Sequence, residues 1–492
     1  MSISRRTLLG ASAATITTGV LASCAQSNEP NGLAVNLQDS IQQVEDRRFS
    51  SGIARQFKLT AKPIESSDLG ETFKTFSFGE QLVGPEIRAG FGDQLSVLTT
   101  NQMEKPTSVH FHGLALRNDA DGVPMLTQDD IAPGSEFTQS FKAPHPGTYW
   151  YHSHTGLQQD EGMMGPLVID DPNEPLSYDE EWVLFLDDWS VGLGNSPEQN
   201  LQWLQENSSG GHGGMGMMNS PSTGTYGLGP SDLEYSAFLV NGKSHFQPEQ
   251  KKIKAGTRVR LRIINGASDT AFAFYLENHQ LEIVASDGFP VEPKTGNAVL
   301  LGMGERYDAL VTIKEGGGNV VAVPVGKSGV PGIASIGTGV EYPEFKKGNL
   351  PKIIIQASEL QAAQGYAIEG SSQYRFDLSL QGSMSGYNWA INGASDYFSK
   401  ALKVKQGDLL TLRFVNNSMM FHPMHLHGHT FQVTASNGYY VNNGPRKDTL
   451  IVKPMEIAEV LVHADNPGLW ALHCHNSYHM EAGMMTSMQY EI

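Results

Sequence analysis

Apolar and polar residues alternate along most of this chain in short runs, which Gly, Pro, Asn and Asp separate. Side chains of a β-strand point alternately to its two faces, so this pattern predicts half-buried strands joined by tight turns. The clearest runs are Gln94–Thr99, Arg258–Ile264, Tyr307–Thr312 and Leu409–Val415. Helical periodicity is scarce, and many short strands at this spacing are typical of sandwiches or barrels. The pattern therefore predicts an all-β protein.

A strand–turn–strand pattern recurs along the chain and predicts related domains. An Asn-Gly turn at 241–242 precedes the run Arg258–Ile264, and an Asn-Gly turn at 392–393 precedes Leu409–Val415. Residues 88–97 form a weaker copy of the same pattern. Internal similarity at this scale indicates a repeated unit. Three copies predict three domains, which a chain of 492 residues can accommodate.

Breaks in the strand pattern set the expected domain boundaries. We expect domains at 46–172, 176–343 and 352–492, since segments around 170–175 and 343–351 interrupt the pattern. The polar residues 25–45 are predicted to form a tether. Residues 208–230 contain too much glycine for a core element and are predicted to form a surface loop within the second domain.

Charge and the N-terminal segment bear on partners and location. The formal net charge of −18 argues against a nucleic-acid binder, because phosphate contacts need a basic face. Residues 1–24 contain the twin-arginine pair Arg5 and Arg6 and then a mild apolar stretch that is too short to span a membrane.

Cys24 ends a Leu-Ala-Ser-Cys run that resembles a bacterial lipobox. We expect twin-arginine export to the cell envelope as a lipoprotein, or to the periplasm or extracellular space, with membrane contact only through a lipid on Cys24. A plain cleaved signal with an incidental cysteine is the alternative.

Histidine spacing is the strongest chemical signal in the chain. Random placement of its 16 histidines would give on the order of half a His-x-His pair, whereas the chain has five. Residues two apart on a strand share a face at roughly 6–7 Å, so such a pair can bind one metal ion or two neighbouring ions. The pairs are His110/His112, His152/His154, His425/His427, His427/His429 and His473/His475.

Cys474 lies inside the last of these pairs. Strand alternation would direct Cys474 to one face and its two histidine neighbours to the other, so the backbone can connect two metal sites. His479 and Met484 follow Cys474 in the sequence. Cysteine, histidine and a weak thioether are the ligands of blue-copper sites, and His422 can supply the second histidine.

Four histidine motifs, in this order, resemble the copper motifs of the multicopper oxidase family. They are His110-Phe111-His112-Gly113, His152-Ser153-His154, His422-Pro423-Met424-His425-Leu426-His427 and His473-Cys474-His475-Asn476-Ser477-Tyr478-His479. The resemblance covers residues from about 85 to the C terminus. It implies three cupredoxin-like Greek-key β-sandwich or barrel domains and four copper ions: one type 1, one type 2 and a type 3 pair.

The resemblance also implies a role for each residue that matches a motif. His422, Cys474 and His479 would bind the type 1 copper with Met484 axial, His110 and His425 the type 2 copper, and His112, His152, His154, His427, His473 and His475 the type 3 pair. Cys474 and its two histidine neighbours would carry electrons between the type 1 copper and the type 3 pair. His429 matches no ligand position, and His145, His245, His279 and His463 are expected to be ordinary polar residues.

Two positions concern proton supply. Asp121 matches an acidic residue that relatives have near the type 2 copper, which implies that it delivers protons or positions water; the alternative is a turn aspartate. Some relatives have a second acidic residue directly after the last type 1 histidine. This chain has Met480 there and Glu481 one position later, which leaves the proton route to the type 3 pair open.

The implied activity is the coupling of four one-electron substrate oxidations to the reduction of O2 to two waters. The expected donors are Cu(I) or small phenols and aromatic amines. Thioethers are soft ligands that suit Cu(I), and they predict a cuprous oxidase in copper resistance that also has laccase-like phenol oxidase activity. The candidate thioethers are Met419 and Met420 before His422, and Met215, Met217 and Met218 in the surface loop.

Several alternatives remain open at this stage. Ser418 stands where the cuprous-oxidase branch often has an acidic residue, and the methionines can equally fill core and loop space. The chain would then be a laccase that acts mainly on phenols. A copper-binding or copper-sequestering protein is an alternative from another class. A nitrite reductase is disfavoured, because it lacks a trinuclear set.

Overall fold

The computed structural model describes residues 31–70, 72–207, 225–229, 232–338, 351, 353–383 and 386–491. Strands account for most of the regular structure in these ranges, which confirms the all-β prediction. The signal segment with Arg5, Arg6 and Cys24 lies outside the described residues, as do most of the predicted surface loop and residues 343–350.

The first unit spans residues 54–170 and contains two sheets. Its strands are β1 (Ala54–Ser66), β2 (Phe73–Ser77), β3 (Ile87–Gly90), β4 (Gln94–Asn101), β5 (His110–His112), β6 (Glu136–Lys142), β7 (Gly147–His152) and β8 (Met164–Asp170). One sheet has the order β2-β1-β4-β6 and the other β3-β8-β7-β5. Burial alternates along β4, as a period-two strand requires, but every residue of β7 is buried.

The second unit spans residues 180–336. Its elements are β9 (Glu180–Trp189), helix α2 (Pro197–Asn207), β10 (Ala237–Val240), β11 (Gln250–Lys251), β12 (Arg258–Asn265), β13 (Phe272–Leu276), β14 (Leu281–Ser286), β15 (Phe289–Gly296), β16 (Val299–Leu301), β17 (Arg306–Thr312), β18 (Gly318–Pro324) and β19 (Gly332–Ile336). The sheet orders are β10-β9-β12-β17-β14-β15 and β11-β19-β18-β13-β16.

The third unit spans residues 374–490. Its elements are β20 (Tyr374–Ser383), β21 (Asn388–Ile391), β22 (Leu402–Val404), β23 (Leu409–Asn416), β24 (His422–Leu426), β25 (Phe431–Ser436), β26 (Tyr439–Tyr440), β27 (Arg446–Lys447), β28 (Thr449–Val452), β29 (Ile457–His463), β30 (Leu469–Cys474), helix α3 (Ser477–Glu481) and β31 (Met485–Tyr490). The sheets run β21-β20-β23-β29-β25-β26, with β27 against β25, and β22-β31-β30-β24-β28.

The three units share one topological signature. Each begins with a strand that pairs in parallel with a later strand of the same sheet: β1 with β4, β9 with β12, and β20 with β23. In the second and third units, a short strand with an Asn-Gly turn pairs antiparallel to the first strand. The four strands predicted from the alternating pattern are the cores of β4, β12, β17 and β23. The domain boundaries themselves stay predictions.

The two Asn-Gly turns are equivalent in detail. Asn241 and Asn392 have positive φ angles of 53° and 54°. The side-chain oxygen of Asn241 accepts a hydrogen bond from the Phe185 amide at 2.7 Å, and that of Asn392 accepts one from the Ser379 amide at 2.8 Å. Asparagine tolerates the left-handed region because its short amide bonds locally to backbone. The repeat in the sequence is therefore a repeat in structure.

Residues Asn31–Arg47 form helix α1, which corrects the tether predicted over residues 25–45. Ile41 is buried and the Glu45 carboxylate accepts a hydrogen bond from the Lys142 amide at 2.8 Å. Leu37, Ile41 and Val44 recur at helical spacing, but polar residues dominate the segment, and the prediction followed its polar composition. Among the described residues, no helix is both long and apolar enough to cross a bilayer.

The glycines of the two equivalent turns offer a stability test. Gly393→Ala is expected to cost about 1 kcal/mol, because φ is +76° and an added Cβ has no heavy atom closer than 3.9 Å. Gly242→Ala has a similar backbone strain, with a φ of +74°, and in addition its Cβ would crowd Leu82 Cβ at 3.0 Å. Unfolding midpoints of the two variants should therefore differ, with Gly242→Ala lower. Equal midpoints would contradict this comparison.

Candidate metal centres

The third unit contains a buried trio of one thiol and two imidazoles. His422 begins β24, Cys474 ends β30, and His479 lies in α3, whose N-cap is Asn476. His422 Nδ1 lies 3.1 Å from His479 Nδ1, and Cys474 Sγ lies 3.7 and 3.6 Å from these two nitrogens. The three donor atoms lie within 4.8 Å of one another, close enough to bind one metal ion.

Met484 is held against this trio by backbone hydrogen bonds. Its amide donates to the carbonyl of His479 at 2.9 Å, and its carbonyl accepts from the amide of Cys474 at 3.0 Å. The Met484 side chain is fully buried. One thiolate, two imidazoles and a nearby thioether are the donor set that suits a blue-copper ion.

Both histidines of the trio are oriented through their outer nitrogens. His479 Nε2 donates to Asp232 Oδ2 at 2.7 Å, and His422 Nε2 donates to Ser418 Oγ at 2.9 Å. Each Nδ1 is therefore directed towards Cys474. Burial lowers the pKa of His479, but the Asp232 carboxylate outweighs it, and the pKa is raised to about 10. Asp232 is only 2% exposed and also accepts from the Tyr387 hydroxyl at 2.8 Å.

Eight further histidines converge between the first and third units. They are His110, His112, His152, His154, His425, His427, His473 and His475. In the strand registers, His110 faces His152 and His425 faces His473. Across the boundary between units, the ring centroids of His110 and His427 lie 3.9 Å apart and those of His112 and His425 lie 3.8 Å apart. Two pairs of adjacent strands thus place their imidazoles face to face.

Most inner nitrogens of this cluster have no protein partner. Among the described residues, the buried ring nitrogens without a hydrogen bond include Nε2 of His110, His152 and His425, Nδ1 of His112, and both nitrogens of His475. A buried polar atom without a partner is costly, and a metal ion removes that cost. Burial lowers the pKa of six of these histidines well below the usual value, which favours the neutral imidazole that binds metals: His112, His152, His154, His425, His427 and His475.

Several groups of three donor atoms within the cluster lie close enough together to bind one metal ion. His473 Nε2 lies 2.9 Å from His427 Nε2 and 3.4 Å from His154 Nε2. The cluster also contains three other groups within 4.8 Å: His110 with His112 and His152, His110 with His425 and His427, and His112 with His425 and Asp448. Such overlapping groups suit several adjacent ions better than a single ion.

Outer nitrogens of the cluster are bound mainly to backbone carbonyls. His110 Nδ1 donates to Asp121 O at 2.8 Å, His152 Nδ1 to Ser153 O at 2.9 Å, His425 Nδ1 to Asp448 O at 2.9 Å and His473 Nδ1 to Cys474 O at 2.9 Å. Each of these bonds leaves Nε2 free to face the cluster. His112 differs from these four histidines, because its Nε2 contacts Asp448 Oδ1 at 3.1 Å and its Nδ1 has no partner among the described residues.

Asp121 lies at the edge of the cluster, where its side chain is fully buried. Its Oδ2 accepts a hydrogen bond from His427 Nδ1 at 3.0 Å, while Oδ1 has no hydrogen-bond partner among the described residues. The turn after it requires glycine, since Gly122 has a φ of +83° and a Cβ there would lie 1.7 Å from the Val109 carbonyl oxygen. Asp121 therefore contacts the cluster, and its role with protons stays a prediction.

The predicted ligand residues lie together in the structure, but the methionines predicted to bind Cu(I) do not share one environment. Met419 is 60% exposed and Met420 is buried, both in the turn before β24. Met215, Met217 and Met218 lie outside the described residues. His429 is buried, but its Nε2 contacts the Tyr490 hydroxyl at 2.7 Å and it joins no metal-sized group.

Sequence reasoning missed Asp232 and Asp448. Each contacts a metal-site histidine from a distant part of the chain: Asp232 contacts His479, and Asp448 contacts His112. Neither residue belongs to a histidine motif. The only available signal was a lone acidic residue beside a strand or loop, which is too common to indicate a site.

Comparisons with known proteins agree with this geometry. Models of the multicopper oxidase family match residues 60–174, 181–327 and 375–492. Multicopper oxidase MmcO of Mycobacterium tuberculosis is 40% identical over 499 residues, which cover 99% of this chain and 96% of that protein. Laccase-2 of Botryotinia fuckeliana is 28% identical over 88% of this chain and 82% of its own length. Copper resistance protein A of Escherichia coli is 25% identical over 89% and 92%, respectively.

Solved structures give the same result for the fold. A laccase from Botrytis aclada superposes with a TM-score of 0.75 and 25% identity, covering 91% of this chain and 90% of that one. Fet3p, a multicopper oxidase that functions in iron import, has a TM-score of 0.76 at 22% identity, with coverage of 89% and 90%. These neighbours confirm the predicted all-β fold of cupredoxin-like domains.

Neighbouring histidines of one strand region provide a matched test of the cluster. His425→Gln should lose copper, because Nε2 of His425 is an inner nitrogen without a protein partner. His429→Gln should retain the wild-type copper content, because His429 contacts Tyr490 instead. Copper per chain after loading and desalting is the measurement. Equal copper contents in the two variants would refute the distinction.

Proposed function

The chain belongs to the multicopper oxidase family and is a copper oxidoreductase that uses O2; from this premise we propose that it oxidises Cu(I) in copper resistance. Laccase-like oxidation of phenols and aromatic amines accompanies this activity. The observation that carries the proposal is the exposed thioether of Met419, one residue after Ser418, whose hydroxyl contacts His422 Nε2. A soft ligand for Cu(I) is thus exposed beside a ligand of the proposed electron-accepting copper.

We propose four copper ions for this chain. The type 1 copper would be held by His422, Cys474 and His479 with Met484 as a further weak ligand, the type 2 copper by His110 and His425, and the type 3 pair by His112, His152, His154, His427, His473 and His475. The buried nitrogens without partners support this assignment. When bound, these ions would supply one-electron transfer from the donor to O2, which takes up four electrons and four protons to give two waters.

Strand β30 connects the two groups of ligands. Cys474 is covalently joined to His473 and His475, which belong to the histidine cluster. In addition, His473 Nδ1 donates a hydrogen bond to the carbonyl oxygen of Cys474 at 2.9 Å. An electron that leaves the Cys474 thiolate therefore has a route of covalent bonds, with a parallel hydrogen bond, to an imidazole of the cluster.

Proton transfer is the proposed task of Asp121. Its Oδ1 is buried, lies 3.3 Å from His110 Nδ1 and makes no hydrogen bond among the described residues, so this oxygen faces the cluster without a committed partner. Its Oδ2 is occupied by His427 Nδ1, which fixes the direction of the carboxylate. General acid–base catalysis requires a carboxyl group so placed, because O2 reduction consumes protons.

Two alternatives give different results in one experiment. A laccase that acts mainly on phenols is favoured by Ser418, because that position offers a neutral hydroxyl instead of a carboxylate. A copper-sequestering protein would bind the same ions without turnover. The relatives include a laccase and a copper resistance protein, so similarity alone does not choose between the two enzymatic functions for this chain.

The donor test measures O2 uptake by the copper-loaded protein with Cu(I) or a simple phenol. We expect faster saturable uptake with Cu(I), and Met419→Leu should reduce kcat/KM for Cu(I) about 10-fold, the effect of losing roughly 1.4 kcal/mol of donor binding. Met125→Leu is the matched control, because Met125 is an exposed methionine of the first unit.

Two other outcomes would support the two alternatives. Faster uptake with the phenol, and equal rates in Met419→Leu and wild type, would make the chain a laccase with no Cu(I) site at Met419. Bound copper without uptake from either donor would favour sequestration.

Export is proposed from the sequence alone. Arg5 and Arg6 would direct twin-arginine transport, and Cys24 would carry a lipid at the cell envelope. Mass spectrometry of the mature protein tests this proposal. A lipid-modified Cys24 at the N terminus is expected, and an unmodified N terminus after Cys24 would show plain cleavage and release.

A further inference from the structure

Five charged side chains are buried together where the three units meet. They are Arg306, Asp287 and Glu305 of the second unit and Lys447 and Asp448 of the third, and none is more than 1% exposed. Arg306 donates to both oxygens of Asp448 at 2.7 Å. Lys447 Nζ lies 3.3 Å from Asp287 Oδ1 and 3.4 Å from Glu305 Oε1. Buried charges persist only when paired in this way.

The network reaches the histidine cluster through Asp448 and its neighbour. Asp448 Oδ1 lies 3.1 Å from His112 Nε2, and the main-chain oxygen of Asp448 accepts a hydrogen bond from His425 Nδ1. Thr449 Oγ1 lies 3.1 Å from His112 Nε2 and donates to Asp448 Oδ1 at 2.9 Å. One end of the charged network therefore contacts a histidine from the first unit and a histidine from the third.

His112 differs from its neighbours in which nitrogen is free. In His110, His152 and His425, the outer nitrogen is Nδ1 and the free one is Nε2. In His112, Nε2 donates to Asp448 and Nδ1 is the buried nitrogen without a partner. The hydrogen bond of one ring nitrogen determines whether the other carries a proton. Asp448 thus selects the tautomer in which Nδ1 can bind a metal.

Close backbone approach fixes the second unit against these residues. Gly113 has a φ of +86°, and a Cβ there would lie 2.4 Å from Arg306 Nη2 and 2.7 Å from Asp448 Oδ2. A Cβ on Gly304 would lie 2.9 Å from His475 Cδ2 and 3.0 Å from His112 Cε1. The second unit supplies none of the histidines grouped in the described residues, yet it packs directly on the cluster.

We propose that the Arg306–Asp448 pair is a positioning device through which the second unit directs His112 Nδ1 into the cluster. Docking of the second unit and copper loading of the trinuclear site are thereby coupled. Arg306 reaches His112 through Asp448 and is itself held by the carbonyl oxygens of Thr148 and Gly304, so Arg306 and Asp448 are both positioning residues. This inference rests on the proposed copper assignment.

Asp448→Asn is the informative substitution. An asparagine amide has one oxygen and one NH2 group. If the asparagine NH2 faces Arg306, two hydrogen-bond donors face each other. If the NH2 faces His112, Nε2 of His112 must accept its hydrogen bond, and the ring proton then lies on Nδ1, where it blocks metal binding. Either orientation disrupts the arrangement, while the buried network still pairs two cations, Arg306 and Lys447, with two carboxylates, Asp287 and Glu305.

The expected result is selective loss of copper. Asp448→Asn should bind trinuclear copper about 10- to 100-fold more weakly, the usual effect of removing a hydrogen-bond partner of a ligand. Within the described part of the chain, neither Arg306 nor Asp448 makes a hydrogen bond or ion pair with His422, Cys474 or His479, so the blue thiolate absorption should remain at wild-type intensity. Copper per chain, the type 2 resonance signal and the thiolate absorption are measured together. Loss of all signals in parallel, or full copper with wild-type spectra, would overturn the proposal.

Arg306→Lys tests the second unit directly. It keeps the buried positive charge but cannot donate two parallel bonds to Asp448. We expect the same selective loss at smaller magnitude. The matched control is Arg262→Met, since Arg262 bonds Thr148, Asp308 and Glu181 between the first and second units and, among the described residues, makes no hydrogen bond or ion pair with a ligand histidine; it should retain all copper.

Two further outcomes are distinguishable. If Asp448→Asn does not fold, the result with Arg306→Lys decides the inference, and parallel loss or no loss in that variant overturns it. A wild-type protein that retains copper at the Cys474 site but none at the histidine cluster would contradict the copper assignment itself.

Discussion

The structure depends on satisfying the buried nitrogens of the histidine cluster. Imidazoles from β5 and β7 of the first unit stack on those from β24 and β30 of the third, as with His110 on His427 and His112 on His425. The first unit alone offers one metal-sized group, His110 with His112 and His152, whereas the other three groups of the cluster combine donors from the first and third units. Because unpaired polar atoms in the interior are costly, bound metal and domain docking must stabilise each other. The site is therefore a property of the interface.

The second unit reaches both metal groups, although none of its described residues belongs to a metal-sized group. Asp232 bonds the outer nitrogen of His479, and Arg306 holds Asp448 against His112. Outer hydrogen bonds of this kind orient ligands and set their basicity. A domain that looks like a spacer in the sequence thus acts on the electron-accepting site and on the histidine cluster through carboxylates.

Strand β30 joins the two metal groups, and in the proposed function it sets the direction of electron flow. Strand alternation places Cys474 and its flanking histidines on opposite faces, so one short segment belongs to both metal groups. On the donor side, Ser418 and Asp232 contact the outer nitrogens of His422 and His479, and Met419 is an exposed thioether three residues before His422. At the histidine cluster, Asp121 places a buried carboxylate against His427.

Local alternation and short motifs such as His473-Cys474-His475 indicate the strands, their threefold repetition and the histidines that the structure groups together. The polar composition of residues 25–45 predicted a tether, although Leu37, Ile41 and Val44 have the helical spacing of helix α1. The partners of the grouped histidines, in contrast, follow from tertiary packing. Asp232 is 247 residues from His479, and Asp448 is 336 residues from His112. A single carboxylate becomes recognisable as part of a site only when the packing of three domains buries it against an imidazole.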